Sequence, residues 1–364
     1  MHVSLFTSTS LIGLSCLSTL TSAVPFSFAN DPTGEGYPTP DAQQLVQIET
    51  QAHGSIPNGP SPSSVSNDTV TSLQLIAFNE IFETAFFTSA IENITNNVEG
   101  YVFNEAEKDG IIADLTTIRA QEELHTLFAN TSLIALGATP VQTCEFMFPV
   151  TTLADAISLA TMFTDIVLGT LPAIQQLLAV SGDADLIPGI GSVIGQEGEQ
   201  NGGYRTFLDK IPSALPFLTA GTREFAFSAL NQNFIVPGSC AIDYIDLPVF
   251  EPLTVMTMAP IAAQAQTLAF EFPMCANGSA PDTSLYSLVY VNQQNLPVVE
   301  PLQNVTVSES TDMMQFTAAF PYDGVTFGNG LTYALVVAGP TDGLTSASDV
   351  ADITVYGPGL ISIN

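Results

Sequence analysis

Tryptophan is absent from this 364-residue chain and cations nearly so: 5 Lys plus Arg and 3 His stand against 36 Asp plus Glu, for a formal charge of −31. So acidic a surface repels phosphate backbones and anionic headgroups, which excludes nucleic-acid binding. Charged residues nevertheless make up only 11% of the chain while 46% is hydrophobic, so the composition is not that of a disordered polymer. The scarcity of histidine also disfavours a Ser-His-Asp hydrolase. His2 lies at the extreme N-terminus, His53 in a stretch rich in Pro, Gly and Ser, and His125 in the middle of an apolar stripe.

Long apolar runs are equally rare. Residues 11–20 form one, too short to cross a bilayer and followed by the small residues Thr21, Ser22 and Ala23, which predicts a secretory signal cleaved after Ala23. Sequons at Asn67, Asn93, Asn130, Asn277 and Asn304 fit passage through the eukaryotic secretory route. No second long apolar segment is read, and residues 357–364 lack the hydrophobic stretch of a lipid-anchor signal. A soluble extracellular protein without a membrane span is expected, secreted or held in the cell wall. Cysteine is scarce too. Cys16 falls in the signal, and Cys144, Cys240 and Cys275 remain, an odd number that predicts one disulfide plus one further thiol without selecting the pair. Their spacing matches no zinc motif.

The composition changes twice along the chain. Residues 24–66, rich in Pro, Gly, Ser, Thr and Asn, read as a flexible linker or surface-hugging arm. Residues 67–236 carry helical patterns punctuated by Gly137, Pro140, Pro149, Gly182, Pro188, Pro212 and Pro216, enough for four or five helices. Residues 237–364 turn to β-branched and aromatic segments at 254–258, 267–272, 285–291, 304–308, 314–320, 332–337 and 353–356, several alternating with period two. The expected fold is therefore α+β and multidomain: a helical bundle followed by a small antiparallel β-sandwich of about seven strands.

The helical stripes are interrupted by acids. In the first candidate helix the i, i+4, i+7 rule selects Ile76, Glu80, Glu83, Phe87, Ala90 and Ile94. In the second it selects Ile111, Leu115, Ile118, Glu122, His125 and Ala129, so that Glu122 and His125 form a Glu-x-x-His pair facing the core. The third stripe has Thr164 at the matching depth, and the fourth runs Ile190, Val193, Glu197, Gln200, Tyr204 and Phe207. Unpaired charge in an apolar interior is destabilising by several kcal/mol, so these acids need a cation, a shared proton or a hydrogen-bonding partner. Two glutamates plus two Glu-x-x-His pairs, gathered from four helices, are how a bundle core holds two iron or manganese ions. The Gly-Ile-Gly-Ser run at 189–192 follows no strand and is not read as a nucleotide loop.

The segments Asn79-Glu80-Ile81-Phe82-Glu83-Thr84-Ala85-Phe86, Ala120-Gln121-Glu122-Glu123-Leu124-His125, Phe148-Pro149-Val150, Gln196-Glu197-Gly198-Glu199-Gln200 and Val236-Pro237-Gly238-Ser239-Cys240 resemble a ferritin-like family of secreted fungal proteins. These are named for stress response and late sexual development, the Rds1-like proteins. The resemblance spans roughly residues 65–240 and implies a ferritin-like bundle. It implies Glu83 or Glu80 as the first-helix metal ligand, Glu122 and His125 as the second-helix pair, and Glu197 as the fourth-helix acid. Thr164 stands where a third-helix Glu is usual and Gln200 where a second His is usual, which removes one carboxylate and one nitrogen donor and argues against a dinuclear centre.

Three readings follow. A degenerate site would be a metal-free polar network, with Arg119 paired to Glu122 three residues on and with Glu80 and Glu83 sharing a proton or bonding His125, inside a non-enzymatic scaffold. Alternatively, one divalent ion, Fe or Mn, is weakly held. The third reading is a residual di-metal oxidase using Glu83, Glu122, His125 and Glu197. In each, the sandwich would offer a surface to an unknown protein or cell-wall partner.

Overall fold

The computed structural model describes residues 25–60, 62–275, 279–308 and 311–363. The expected signal and the sequon at Asn277 lie outside the described residues. Four long helices form the bundle: α2 (Asn67–Thr95), α3 (Glu105–Ala135), α4 (Leu153–Ser181) and α5 (Ile187–Phe207), preceded by α1 (Ala42–Gln51) and followed by α6 (Arg223–Asn233). Their ends are set locally. Ser66, Asn104, Thr152 and Thr222 each cap an N-terminus by accepting a backbone N–H two or three residues into the helix, and Gly182 closes α4 with φ 83°. Pro188 falls in the first turn of α5, where its missing N–H leaves no bond unmade.

Phenylalanine fills the place of the missing tryptophan. Phe82 packs edge-on against Phe163 at 5.1 Å and lies 4.7 Å from Phe234, and Phe86 meets Phe148 and Phe163, so one aromatic cluster joins α2 and α4 to the loop before α4 and the end of α6. Helix α4 is long and apolar enough to cross a membrane, contrary to the expectation that no such segment existed. Most of its apolar stretch is buried inside the fold, and core burial accounts for its composition. Pro172, inside it, did not register as a break.

Residues 24–66, read as a flexible linker or surface-hugging arm, lie against the bundle at several described positions. Phe26 pairs antiparallel with Phe146, which pairs in turn with Ile235. Helix α1, which no periodicity announced, starts with a capping box of Asp41 and Gln44 and sets Ile48 and Ala52 against Ala120, Leu124 and Leu127 of α3. Arg119 reaches Glu35 at 3.0 Å and Gln51 at 2.8 Å, and its other face lies 3.5 Å from Glu123. The pairing expected between Arg119 and Glu122 is therefore not made. Glu122 faces the bundle centre, while Arg119 is turned outward by the arm.

Eight strands follow, in two antiparallel four-stranded sheets: β1 (Thr254–Val255), β2 (Gln266–Pro273), β6 (Met313–Phe320) and β5 (Gln303–Val307) in one, and β4 (Val298–Pro301), β3 (Tyr286–Asn292), β7 (Gly330–Ala338) and β8 (Thr354–Ile363) in the other. The short strand β4, flanked by Pro297 and ending at Pro301, is the one that pattern reading missed. The second sheet is buried on both faces. Leu288, Tyr290, Ala334 and Val336 meet the first sheet, whereas Val289, Val291, Tyr333 and Leu335 meet the bundle, which is why β7 reads as one apolar run. Backbone contact links the two parts through the loop between α5 and α6. A Cβ on Gly169 of α4 would overlap the carbonyl oxygen of Thr219 in that loop, Gly221 N–H donates to the Gly169 carbonyl at 3.1 Å, and Ala220 N–H donates to the Gln293 carbonyl beside β3 at 2.9 Å. The disulfide joins Cys144 to Cys240 across 96 residues, leaving Cys275 as the free thiol among the described residues.

Candidate metal centre

Three of the four bundle helices bring Glu80 of α2, Glu122 and His125 of α3, and Glu197 of α5 together, with one ligand atom from each all within 4.8 Å of one another. The helical repeat makes this possible. Glu122 and His125, three residues apart, share a face, and Glu80 and Glu197 interrupt the inward stripes of their own helices. His125 Nδ1 lies 2.9 Å from Glu122 Oε2, 3.4 Å from Glu80 Oε2 and 4.0 Å from Glu197 Oε1. Glu83, one turn along α2, stands outside this group of four. Asn79 Nδ2 donates to its Oε1 at 2.7 Å, while its Oε2 is buried with no hydrogen-bond partner. Glu80, not Glu83, is thus the α2 carboxylate closest to the histidine.

All four carboxylates are at most 1% exposed, so solvent does not neutralise them. Burial pushes the Glu80 carboxyl up to about 7, against the pull of His125. Burial, then the charges of Glu197, Glu122 and Glu80, hold Glu83 well above the usual carboxylate range. Glu197 is raised by burial and by Glu122 and Glu80. For His125, burial favours the neutral ring, but the Glu122 and Glu80 carboxylates outweigh it and push its pKa well up. No lysine or arginine offsets this charge: among the described residues Arg119 pairs with Glu35 and Glu123, Arg223 with Asp68, Lys108 bonds Thr95 and Asn97, and Arg205 and Lys210 lie by Asp165.

The two departures from a dinuclear pattern are visible as structure. Thr164 of α4 is fully buried and its Oγ1 has no hydrogen-bond partner. Gln200 of α5 donates from Nε2 to Glu122 Oε1 at 2.6 Å and to Gln121 Oε1 at 3.1 Å, and its Oε1 accepts from the Tyr204 hydroxyl at 3.0 Å. Gln121 and Gln196 sit one position off the inward stripes, so periodicity gave no sign of them; Gln196 Nε2 donates to Gln121 Oε1 at 2.8 Å.

A divalent cation fits the residues present. Three carboxylates and one imidazole form an oxygen-rich donor set suited to iron(II) or manganese(II). Both oxygens of Glu197 are buried without a hydrogen-bond partner, a state that an ion between them and His125 would relieve. His125 retains 15% side-chain exposure, and an apolar cavity of about 20 Å³ beside it and Glu80, lined by Leu73, Ile76, Phe128 and Val193, has room for roughly one water.

The other predicted positions are scattered. Asn67 is exposed at the start of α2, Asn93 is half-buried two residues before the end of that helix, and Asn304 is exposed on β5. Asn130 is 9% exposed, and its side chain donates from Nδ2 to the Val141 carbonyl and accepts at Oδ1 from the Val141 N–H.

No curated protein matches the chain. Residues 69–210 match the family model of the ferritin-like domain, a stretch that takes in nearly all of α2 to α5 and every residue of the acidic cluster. This part of the chain is similar to the ferritin-like domain and has its helical-bundle fold, with a Glu, Glu, His, Glu group that could hold a metal ion.

Proposed function

We propose that the chain is an exported ferritin-like protein whose bundle holds one divalent cation, iron or manganese, through Glu80, Glu122, His125 and Glu197, with Glu83 as a further carboxylate beside them. The observation that carries this reading is the Glu197 carboxylate, fully buried, unpartnered at both oxygens and 4.0 Å from His125. A cation there supplies the positive charge that no lysine or arginine of the described chain brings. With Thr164 and Gln200 in place of a carboxylate and an imidazole, the site suits a structural or sequestering role within a scaffold better than oxygen activation by two metals. We place the chain with secreted, wall-associated proteins of the stress and development type on the sequence resemblance, and assign the exposed face of the β1-β2-β6-β5 sheet as the surface for a wall or protein partner.

The test is elemental analysis of the secreted full chain purified without chelators, alongside the His125→Ala variant. About one equivalent of iron or manganese in the parent and none in the variant supports the reading. An empty parent protein, or unchanged occupancy in the variant, refutes it. A metal-free network is favoured by one observation, the raised proton affinity of Glu83 and Glu197, which lets two carboxyls stay protonated at neutral pH. The same analysis separates the two.

A further inference from the structure

Resting on the single-ion reading, we infer that Gln200 is a positioning residue that limits the centre to one ion, by holding with its side-chain amide the Glu122 oxygen that a second ion would need. Glu122 has two oxygens with different tasks: Oε2 faces His125 at 2.9 Å, and Oε1 is taken by Gln200 Nε2 at 2.6 Å. An ionised carboxylate only accepts, so the amide nitrogen is the atom that must face it. The Tyr204 hydroxyl, 3.0 Å from Gln200 Oε1, fixes the same orientation from the other end. Gln121 adds a third restraint. Its Oε1 accepts from both Gln200 and Gln196, and its Nε2 donates to the Ala52 carbonyl at the end of α1, tying the arrangement to the arm.

A two-ion bundle draws on a Glu-x-x-His pair from each of two helices, so the partner pair supplies a second imidazole, and a carboxylate with both oxygens free can serve two ions. Here that imidazole is replaced by a neutral donor that consumes the second carboxylate oxygen, and Thr164, buried with an unpartnered hydroxyl, stands where the remaining carboxylate is lacking. The glutamine therefore does two things. It removes a ligand, and it orients Glu122 so that Oε2 alone faces the ion.

Manganese(II) titration of the secreted full chain, read by the spin-resonance signal of free manganese and by competition with a chelator, tests this. The parent is expected to bind about one equivalent, and Gln200→Leu about one equivalent roughly ten- to a hundredfold more weakly, the usual effect of losing a hydrogen bond to a metal ligand. Tyr204→Phe, which keeps the ring packed on Phe87, is expected to weaken binding in the same direction and serves if the leucine variant does not fold. The double variant Gln200→His with Thr164→Glu is expected to bind a second equivalent. A parent with one ion whose affinity is unchanged by both Gln200→Leu and Tyr204→Phe overturns this inference and leaves the single-ion reading standing, as does a folded double variant that still takes one ion. A parent that binds none overturns both.

Discussion

Raising the pH from 5 to 8 should destabilise the metal-free protein and leave the metal-loaded protein much less affected. The Glu80 carboxyl is pushed from an ordinary 4.5 to about 7 in the fold, so between these values the native state binds more protons than the unfolded chain. Stability then falls as pH rises, and the full loss is reached once pH exceeds the folded value. A shift of this size corresponds to about 3 kcal/mol, at roughly 1.4 kcal/mol per pH unit. His125 acts in the same sense: its raised pKa contributes stability that is present below about pH 6.5, the ordinary histidine value, and lost as pH rises through the higher folded value. Glu123, pushed up to about 8 by burial against the pull of Arg119, adds to the fall but lies outside the ligand set. Thermal unfolding in chelator should therefore show a melting temperature lower at pH 8 than at pH 5 by roughly 6 °C or more. Added manganese should restore most of the loss at pH 8 and raise stability little at pH 5, because at low pH protons compete for the same oxygens. Glu80→Gln should flatten the metal-free profile. A metal-free melting temperature that is constant or rises with pH, or a manganese effect larger at pH 5, would refute the reasoning.

Arg119→Met should destabilise by about 3 to 5 kcal/mol, because Glu35 and Glu123 are left buried without their cation, and proteolysis should then cut the arm before the bundle. Removing the Cys144–Cys240 disulfide, which closes a loop with a sequence separation of 96 residues, should lower stability by about 4 kcal/mol in chemical denaturation. Gly169→Ala should cost about 1 to 3 kcal/mol, since the new methyl group would meet the Thr219 carbonyl, and the loss should register in the unfolding of bundle and sandwich together. Peptide mapping of the chain expressed in a eukaryotic secretory host should find Asn130 unmodified, and a glycan there would contradict the buried amide pair.

The bundle was legible because its helices are long and their apolar stripes regular, so that Glu80, Glu122, His125 and Glu197 stood out as acids and an imidazole at inward positions. Which α2 glutamate joins His125 was not legible. Glu80 and Glu83 share a stripe one turn apart, and only the bond from Asn79 separates their roles. Arg119 was misjudged for a related reason: a helical arginine reaches i+3 or i+4 equally well, and the choice was made by Glu35, 84 residues away. Helix α1 carries too few apolar residues for a periodic signal, since it buries Ile48 as its one fully covered side chain, although Asp41 and Gln44 spelled a capping box. Strand β4 was hidden by its prolines, while β2 and β6 were legible as alternating segments because only one face of each is fully covered. The glutamines around Glu122 have no pattern of their own. Amides tolerate both core edge and surface, and their meaning depends on three helices meeting.

The most direct test is the metal content of the full chain after purification without chelators. About one equivalent of iron or manganese, lost in His125→Ala while the fold persists, is the predicted result. Less than about a tenth of an equivalent, with no uptake on titration, would contradict it and leave the buried carboxylates to be held by protons alone.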